Sequence, residues 1–371
     1  MSLIKTCIMD VLERANGNKA LAAKILGIHR TGLYQSLKDM DYTSINKAAE
    51  GVGSSFKGNS SDPKVLTPIE RKSPLLKNSA FGCLREVPSI NITRGCLHSC
   101  VYCYATGFSS APPKGEVYVY NNLVERLERE FKFKKKFPNF ISFSTASDPF
   151  QPSSIILNKT YEVMDFILSR GIGISFLTKG FIPEDFYNIW QKKPRSVVAR
   201  IGIVSTSSKY KKIFEPFSAN INQRLYNIIR LQEIGIKVEV RVDPIIPFIT
   251  DTEEQISSLL SKLKESNIPK ISISCLIIRP SLYKQMEMLP KDISRFILRQ
   301  YDHEPFKQII TSAKTKLLPR PHREAIYKRF KLIAKDYGID VKICGCKNPD
   351  LPFEFCMPWG RTPLKRWDST S

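Results

Sequence analysis

From about residue 85 to residue 280 the chain alternates short β-branched runs with amphipathic helical stretches, and this alternation limits the fold more than any other feature. Strand patterns fall at 89–93, 140–145, 173–178, 197–205, 237–242 and 270–276. Between them lie helical patterns at 122–135, 161–169, 183–191, 221–234 and 253–266. Helical crossovers between successive strands predict an α/β fold, a parallel sheet with helices outside it. Six strand signals fit an open, partial (β/α)6 barrel better than a closed eight-fold one. The chemistry of such a sheet belongs at the C-terminal ends of its strands.

Residues 1–43 read differently, as short helices. Asn18 can cap a helix with Leu21, Ala22, Ile25 and Leu26 on its apolar stripe; Gly27 breaks it, and a second helix from about His29 turns Leu33 and Leu37 inward. That is helix-turn-helix spacing. Arg30, Thr31, Gln35 and Lys38 then face outward on the second helix, where side chains reach base edges or phosphates. The run GNKALAAKILGIHRTGLYQSLK at 17–38 resembles the Fis-type helix-turn-helix, which implies DNA binding and a homodimer formed through these N-terminal helices. A helical oligomerisation module with a charged solvent face is the plainer alternative. Residues 44–84 shift to Gly, Ser, Asn, Lys and Pro without a sustained period and read as a linker. The partial barrel follows over 85–280, then an α+β extension with a Cys-rich loop over 281–371.

Charge points to a polyanionic partner, nucleic acid first. There are 57 Lys and Arg against 35 Asp and Glu, a formal net charge of +22. Residues 1–80 hold 12 of those basic residues and 7 of the acidic ones, so most of the excess lies in the barrel and extension. KFKKKF at 132–137 and the stretch 320–335 are its densest runs. No apolar run approaches the ~20 residues of a membrane span, and the N-terminus has no signal-peptide core, so a cytoplasmic protein without membrane association is expected. Nine cysteines, six of them in two tight groups, suit metal or cluster ligation in a reducing compartment better than a disulfide framework.

The first group is ITRGCLHSCVYCYA at 92–105, which places Cys96, Cys100 and Cys103 in a C-x3-C-x2-C loop just after the first strand. Three thiolates can hold three irons of a [4Fe–4S] cube and leave the fourth open. S-adenosylmethionine (SAM) can chelate that open corner and be split by one electron into a 5′-deoxyadenosyl radical. A zinc site would need a fourth ligand, and His98 lies inside the loop, poorly placed to join its neighbours around one ion. Reduced structural cysteines are the remaining alternative.

On these residues the chain resembles the radical SAM superfamily, and within it the spore photoproduct lyase-like branch. The likeness covers roughly 85–280 and includes STASDPFQP at 144–152, LTKG at 177–180, STSSKYKKIFEP at 205–216 and RLYNIIRLQEIGIKVEVRVDPIIP at 224–247. It implies that Ser147 and Asp148 meet the amino group of SAM, that Lys179 pairs with its carboxylate, and that Ser205 and Arg241 reach the ribose or carboxylate. Tyr102 and Tyr104 match tyrosines that the lyases place beside the adenosyl group and on the hydrogen-transfer route. One departure stands out: the lyases carry a cysteine hydrogen donor shortly before the Ser-Asp pair, where this chain has Thr145 and Ala146. An O–H bond is too strong to substitute for a thiol in that role.

The second group, Cys344, Cys346 and Cys356, has C-x-C-x9-C spacing. It could form a second metal site, supply a redox or hydrogen-donating thiol, or simply pack in a compact turn. Together these features predict a radical SAM enzyme, reduced by a one-electron donor such as flavodoxin or ferredoxin, that acts on nucleic acid. Lesion reversal or base modification in DNA is the expected outcome. The rivals are radical SAM modification of a peptide or small molecule, with the helices serving dimerisation, and a cluster-containing transcriptional sensor.

Overall fold

A computed structural model describes residues 22–23, 65–76, 84, 87–309 and 314–352. Arg30, Thr31, Gln35, Lys38 and Cys356 lie outside the described residues.

In chain order the strands are β1 (Val65–Ile69), β2 (Ser89–Ile90), β3 (Thr93–Arg94), β4 (Glu116–Tyr120), β5 (Phe140–Phe143), β6 (Gly173–Thr178), β7 (Val197–Gly202), β8 (Lys237–Ile245), β9 (Lys270–Cys275), β10 (Lys307–Gln308), β11 (Lys314–Thr315) and β12 (Asp340–Ile343). The helices are α1 (Leu123–Phe133), α2 (Ser154–Ser169), α3 (Glu184–Trp190), α4 (Ser208–Phe214), α5 (Ile221–Glu233), α6 (Glu253–Glu265), α7 (Pro280–Met286), α8 (Lys291–Arg299) and α9 (Arg320–Asp336). Seven strands form one sheet in the order β12-β9-β8-β7-β6-β5-β2, and every neighbouring pair is parallel.

The alternation read from sequence is thus the sheet itself, with two changes. β12 belongs to the stretch read as a separate extension, yet it pairs with β9 from Asp340 opposite Lys270 to Ile343 opposite Ile273 and becomes the seventh strand. Its helix α9 supplies the right kind of crossover, but the intervening α7, α8 and β-hairpin obscure the repeat. Residues 65–69, read as linker, form β1, which runs parallel to β4 in a small three-stranded sheet beside the barrel. Val65-Leu-Thr-Pro-Ile contains a proline, and an edge strand tolerates one because half its amides face away from the ladder.

Buried strands read as continuous apolar runs because helices cover one face and the barrel interior the other. All six residues of β7 are buried, including Arg200, whose Nε donates to Glu239 at 3.0 Å. Beneath β5 and β6, Phe150, Phe176, Phe186 and Trp190 pack together, with the Phe176 and Trp190 rings stacked at 5.3 Å and Phe150 edge-on to Phe176 at 5.1 Å. Helix starts follow local capping chemistry: Asn220 and Gln223 form a reciprocal capping box at α5, and Thr252 accepts from the Gln255 amide at α6. Among the described residues no helix is long and apolar enough to cross a membrane.

The parallel order delivers seven strand C-termini to one end of the sheet. KFKKKF lies at the other end: it closes α1 and leads into the N-terminal end of β5, so this basic run does not border the mouth.

Candidate active site

The cysteine loop begins at Gly95, whose φ of +79° favours glycine, and a Cβ there would come within 2.8 Å of Pro112 Cγ. From that turn the loop is tied down on three sides. The Leu97 amide donates to Gln151 Oε1 at 2.7 Å, and Gln151 Nε2 donates to Thr93 Oγ1 and to the Asp148 carbonyl, both at 2.8 Å. On the second side, the Val101 amide donates to the Phe214 carbonyl at 3.0 Å and the Phe217 amide to the His98 carbonyl at 3.3 Å. On the third, the side-chain amide of Gln285 in α7, turned so that its nitrogen faces them, donates to the carbonyls of Val101 and Cys103 at 3.3 and 3.1 Å.

Burial is the main force raising the Cys96 and Cys100 thiols above their ordinary range; Asp148 adds to it at Cys96 and Glu215 at Cys100. Each is further raised by Cys103, which places the three thiols within electrostatic reach of one another. Among the described residues no three His, Cys, Asp or Glu side chains converge on one ion-sized point. A single zinc ion needs four donors at about 2.0–2.3 Å; a cubane needs three thiolates at separate corners, and the C-x3-C-x2-C loop carries three. His98 is 2% exposed and its Nδ1 faces Asp148 Oδ2 at 3.4 Å, so the ring braces the loop from inside.

Under the loop lies a carboxylate that sequence reading left without a role. Glu215 is 1% exposed. It accepts from Tyr102 Oη and Arg224 Nη2 through short contacts and from Lys179 Nζ at 3.2 Å. Burial alone would raise its pKa, but Arg224, Lys179 and the Tyr102 hydroxyl outweigh that and hold the carboxyl at about 2. Arg224 also donates to the carbonyls of Gly202 at 2.7 Å and Ala219 at 2.9 Å, which locks the end of β7 to the start of α5. The available signal was an acid between Phe214 and Pro216, nine residues before an arginine in an apolar helix.

The residues expected to meet SAM divide into two groups. Ser147 keeps a buried hydroxyl with no partner among the described residues, as a ligand-facing group would. Lys179 sits at the end of β6, its Nζ also donating to the Asp243 carbonyl at 3.1 Å. Arg241 Nη2 donates to Asp243 Oδ2 at 3.0 Å and lies 3.6 Å from Cys344 Sγ. Asp148, by contrast, is spent within the protein: Oδ1 accepts from the Phe150 amide and Thr178 Oγ1 at 2.8 and 2.7 Å, and Oδ2 accepts from the Lys179 amide at 2.8 Å. Burial would raise this carboxyl, but His98 and these donors hold it below its usual range. These bonds tie the 147–151 loop to the end of β6. Ser205 donates to Gln255 Oε1 at 2.9 Å and accepts from the Ser207 amide at 3.0 Å, a local brace for α4. Tyr102 also departs from expectation: its hydroxyl points down to Glu215, so it supports the cluster loop from below.

Tyr104 is turned the other way and donates to the Thr145 carbonyl. Its ring lies under the Arg279 guanidinium, 4.8 Å from the carbon to the ring centroid. Cys344 and Cys346 are 2% and 7% exposed and follow β12, so they reach the same end of the sheet as the cluster loop. The Cys344 loop is fastened there by Lys347 Nζ, which donates to Asp243 Oδ1 at 2.6 Å.

Gly180 of the LTKG motif is a further constraint. A Cβ at this position would fall 1.9 Å from the Phe150 carbonyl oxygen, a backbone atom that no rotamer change can move. Gly180→Ala is therefore expected to push the 147–151 loop off β6, destabilising the protein by about 1–3 kcal/mol and weakening SAM binding in the same variant. Calorimetric melting and equilibrium SAM titration check both.

Residues 90–263 match the radical SAM superfamily, and residues 5–40 match the Fis family of bacterial regulatory proteins. The barrel is a radical SAM domain, and the chain is an enzyme of that class with a Fis-type helix-turn-helix. Its fold resembles that of spore photoproduct lyase. One variant of that lyase superposes with a TM-score of 0.58 at 15% identity, covering 75% of this chain and 82% of the lyase. Another, with bound AdoMet and dinucleoside spore photoproduct, gives 0.56 at 15% identity over 74% and 81%. Among sequence relatives, an uncharacterized protein of Acidianus two-tailed virus is 20% identical over 247 residues, 62% of this chain and 80% of its own length. An uncharacterized protein of Mycobacterium tuberculosis is 23% identical over 209 residues, 52% of this chain and 59% of its own. A radical SAM Nalpha-GlyT isomerase of Pseudomonas phage M6 is 24% identical over 169 residues, 45% of this chain and 35% of that enzyme.

Proposed function

We propose that this radical SAM enzyme acts on DNA, reversing a lesion or modifying a base. The observation that carries the reading is the union, in one chain, of a Fis-type helix-turn-helix with a barrel folded like a lyase that holds a dinucleoside photoproduct. The net charge of +22 favours the same partner. The phage relative is an isomerase, which favours base modification as the second outcome. Arg30, Thr31, Gln35 and Lys38 contact the duplex, the N-terminal helices pair two chains, and flavodoxin or ferredoxin supplies the electron in a cytoplasmic setting.

When bound, the cluster and SAM supply a 5′-deoxyadenosyl radical that takes hydrogen from a nucleotide. Cys96, Cys100 and Cys103 hold the cluster. Ser147, Lys179 and Arg241 would hold SAM, the first through a hydroxyl without a partner among the described residues, the others by extending cations already paired with Glu215 and Asp243. Tyr104 lines the mouth beside Thr145. A duplex nucleotide reaches this depth only when turned out of its stack.

Hydrogen return needs a thiol, and Cys344 at the end of β12 is suited to it. Its S–H bond breaks homolytically as a C–H bond forms on the nucleotide. The sulfur radical left behind returns to thiol with one electron from the reductant and one proton. This role calls for no second metal at the C-terminal cysteines.

Anaerobic turnover with deuterated oligonucleotides tests the substrate class. Deuterium is expected in 5′-deoxyadenosine from one labelled position in DNA; label from no DNA or RNA would transfer the enzyme to peptide or small-molecule chemistry.

A further inference from the structure

Among the described residues four arginines are buried, and three of them have protein acceptors. Arg200 pairs with Glu239, Arg224 with Glu215, and Arg323 with Asp350 and Asn348. Arg279 is the exception. It follows β9 at the mouth and is 4% exposed, and among the described residues its side chain makes no hydrogen bond or ion pair. Its Nε is sealed from solvent with no acceptor. What touches it is aromatic: the guanidinium carbon lies 4.8 Å from the Tyr104 ring centroid and 5.8 Å from that of Phe108.

Such a group is costly to keep. Burial pulls its pKa down against the opposing influence of Tyr104 and Cys103. Ring contacts offset part of that cost but use the flat face of the guanidinium and leave its edge donors unspent. Those donors form a planar fork that matches two oxygens of one oxyanion. The neighbouring backbone is basic as well: Ile278 bridges Lys316 through paired backbone hydrogen bonds at 3.0 and 2.7 Å, and the hairpin that leads into Lys316 exposes Lys307 and Lys314. Lys316 Nζ is itself held by the Tyr301 and Asp302 carbonyls, so the exposed Lys307 and Lys314 of the hairpin, together with the unpaired fork, suit a ligand carrying negative charges in series.

We propose that Arg279 binds a phosphodiester of the nucleic-acid substrate, fixing the strand at the mouth beside Tyr104. The inference rests on the nucleic-acid reading above and adds a substrate contact to it.

The test is equilibrium binding of a fluorescein-labelled oligonucleotide to the full chain across a salt series, for the unaltered protein, Arg279→Gln and Arg279→Lys. Arg279→Gln is expected to bind more weakly and to flatten the dependence of log affinity on log salt by roughly one. Arg279→Lys keeps the charge and therefore the slope. A thermal midpoint of Arg279→Gln equal to or above that of the unaltered protein accompanies this result, because an unpaired buried charge has been removed. An unchanged slope in Arg279→Gln overturns the proposal, and weaker SAM binding in that variant would then give the arginine to the methionyl carboxylate. A midpoint several degrees lower overturns it too, by making the guanidinium structural. If the unaltered chain binds neither DNA nor RNA at any salt, the nucleic-acid reading itself fails; if it binds and only the slope test fails, that reading survives without Arg279.

Discussion

Cys100→Ala, reconstituted without oxygen, is expected to fall from about four irons per chain to below one and to lose dithionite-dependent release of 5′-deoxyadenosine altogether. The reason is geometric. Cys100 sits in the middle of the loop, between the Val101 amide fastened to Phe214 and the His98 ring fastened to Asp148, so no neighbouring side chain can swing into its place. Cys344→Ala, assayed in parallel, is expected to keep its four irons, since its sulfur lies against the Arg241 guanidinium at the end of a different strand. Iron and sulfide analysis with electron paramagnetic resonance of the reduced protein measures both. A Cys344→Ala protein that loses iron would restore the second-metal reading.

Glu215→Gln is expected to lower stability by about 3–5 kcal/mol, the range for removing one member of a buried charge set and leaving its cations unmatched. For a domain of this size that is roughly 10 °C in thermal midpoint. The shape of the side chain survives, so the loss reports charge. Its pH dependence follows from the sign of the shift. A folded-state pKa of about 2, below the ordinary 4.5, gives stability that is fully present above pH 4.5 and disappears as pH falls through 2. The amount is about 3 kcal/mol, in line with the substitution. Glu215→Gln flattens that acid limb. Urea unfolding of the cluster-free chain between pH 7 and pH 2 measures it, and parallel limbs in the two proteins would show that Glu215 does not bear the charge network.

These two experiments probe different kinds of information. Cys96, Cys100 and Cys103 announce themselves through spacing alone, because three ligands on one short loop need no other part of the chain to find each other. Glu215 does not, because its partners Tyr102, Lys179 and Arg224 come from three other segments and meet only after the barrel forms. Asp148 illustrates the same limit from the other side. Its place after the second long strand suggested a ligand contact, yet folding brings Thr178, the Lys179 amide and His98 around it and uses the carboxylate up. Arg279 had no local signal at all; its interest lies in the absence of an acceptor among the described residues.

The strand and helix periods of 85–280 and the cysteine spacing determined on their own that this chain builds a parallel sheet with a three-cysteine loop after its first strand, since both are local patterns a few residues long. Only the tertiary structure decided that β12 completes the sheet and carries Cys344 to the mouth, that Glu215 anchors the loop from beneath, and that Arg279 has no acceptor among the described residues. Pairing across a hundred residues is set by which surfaces pack together, and no short stretch of sequence records that outcome.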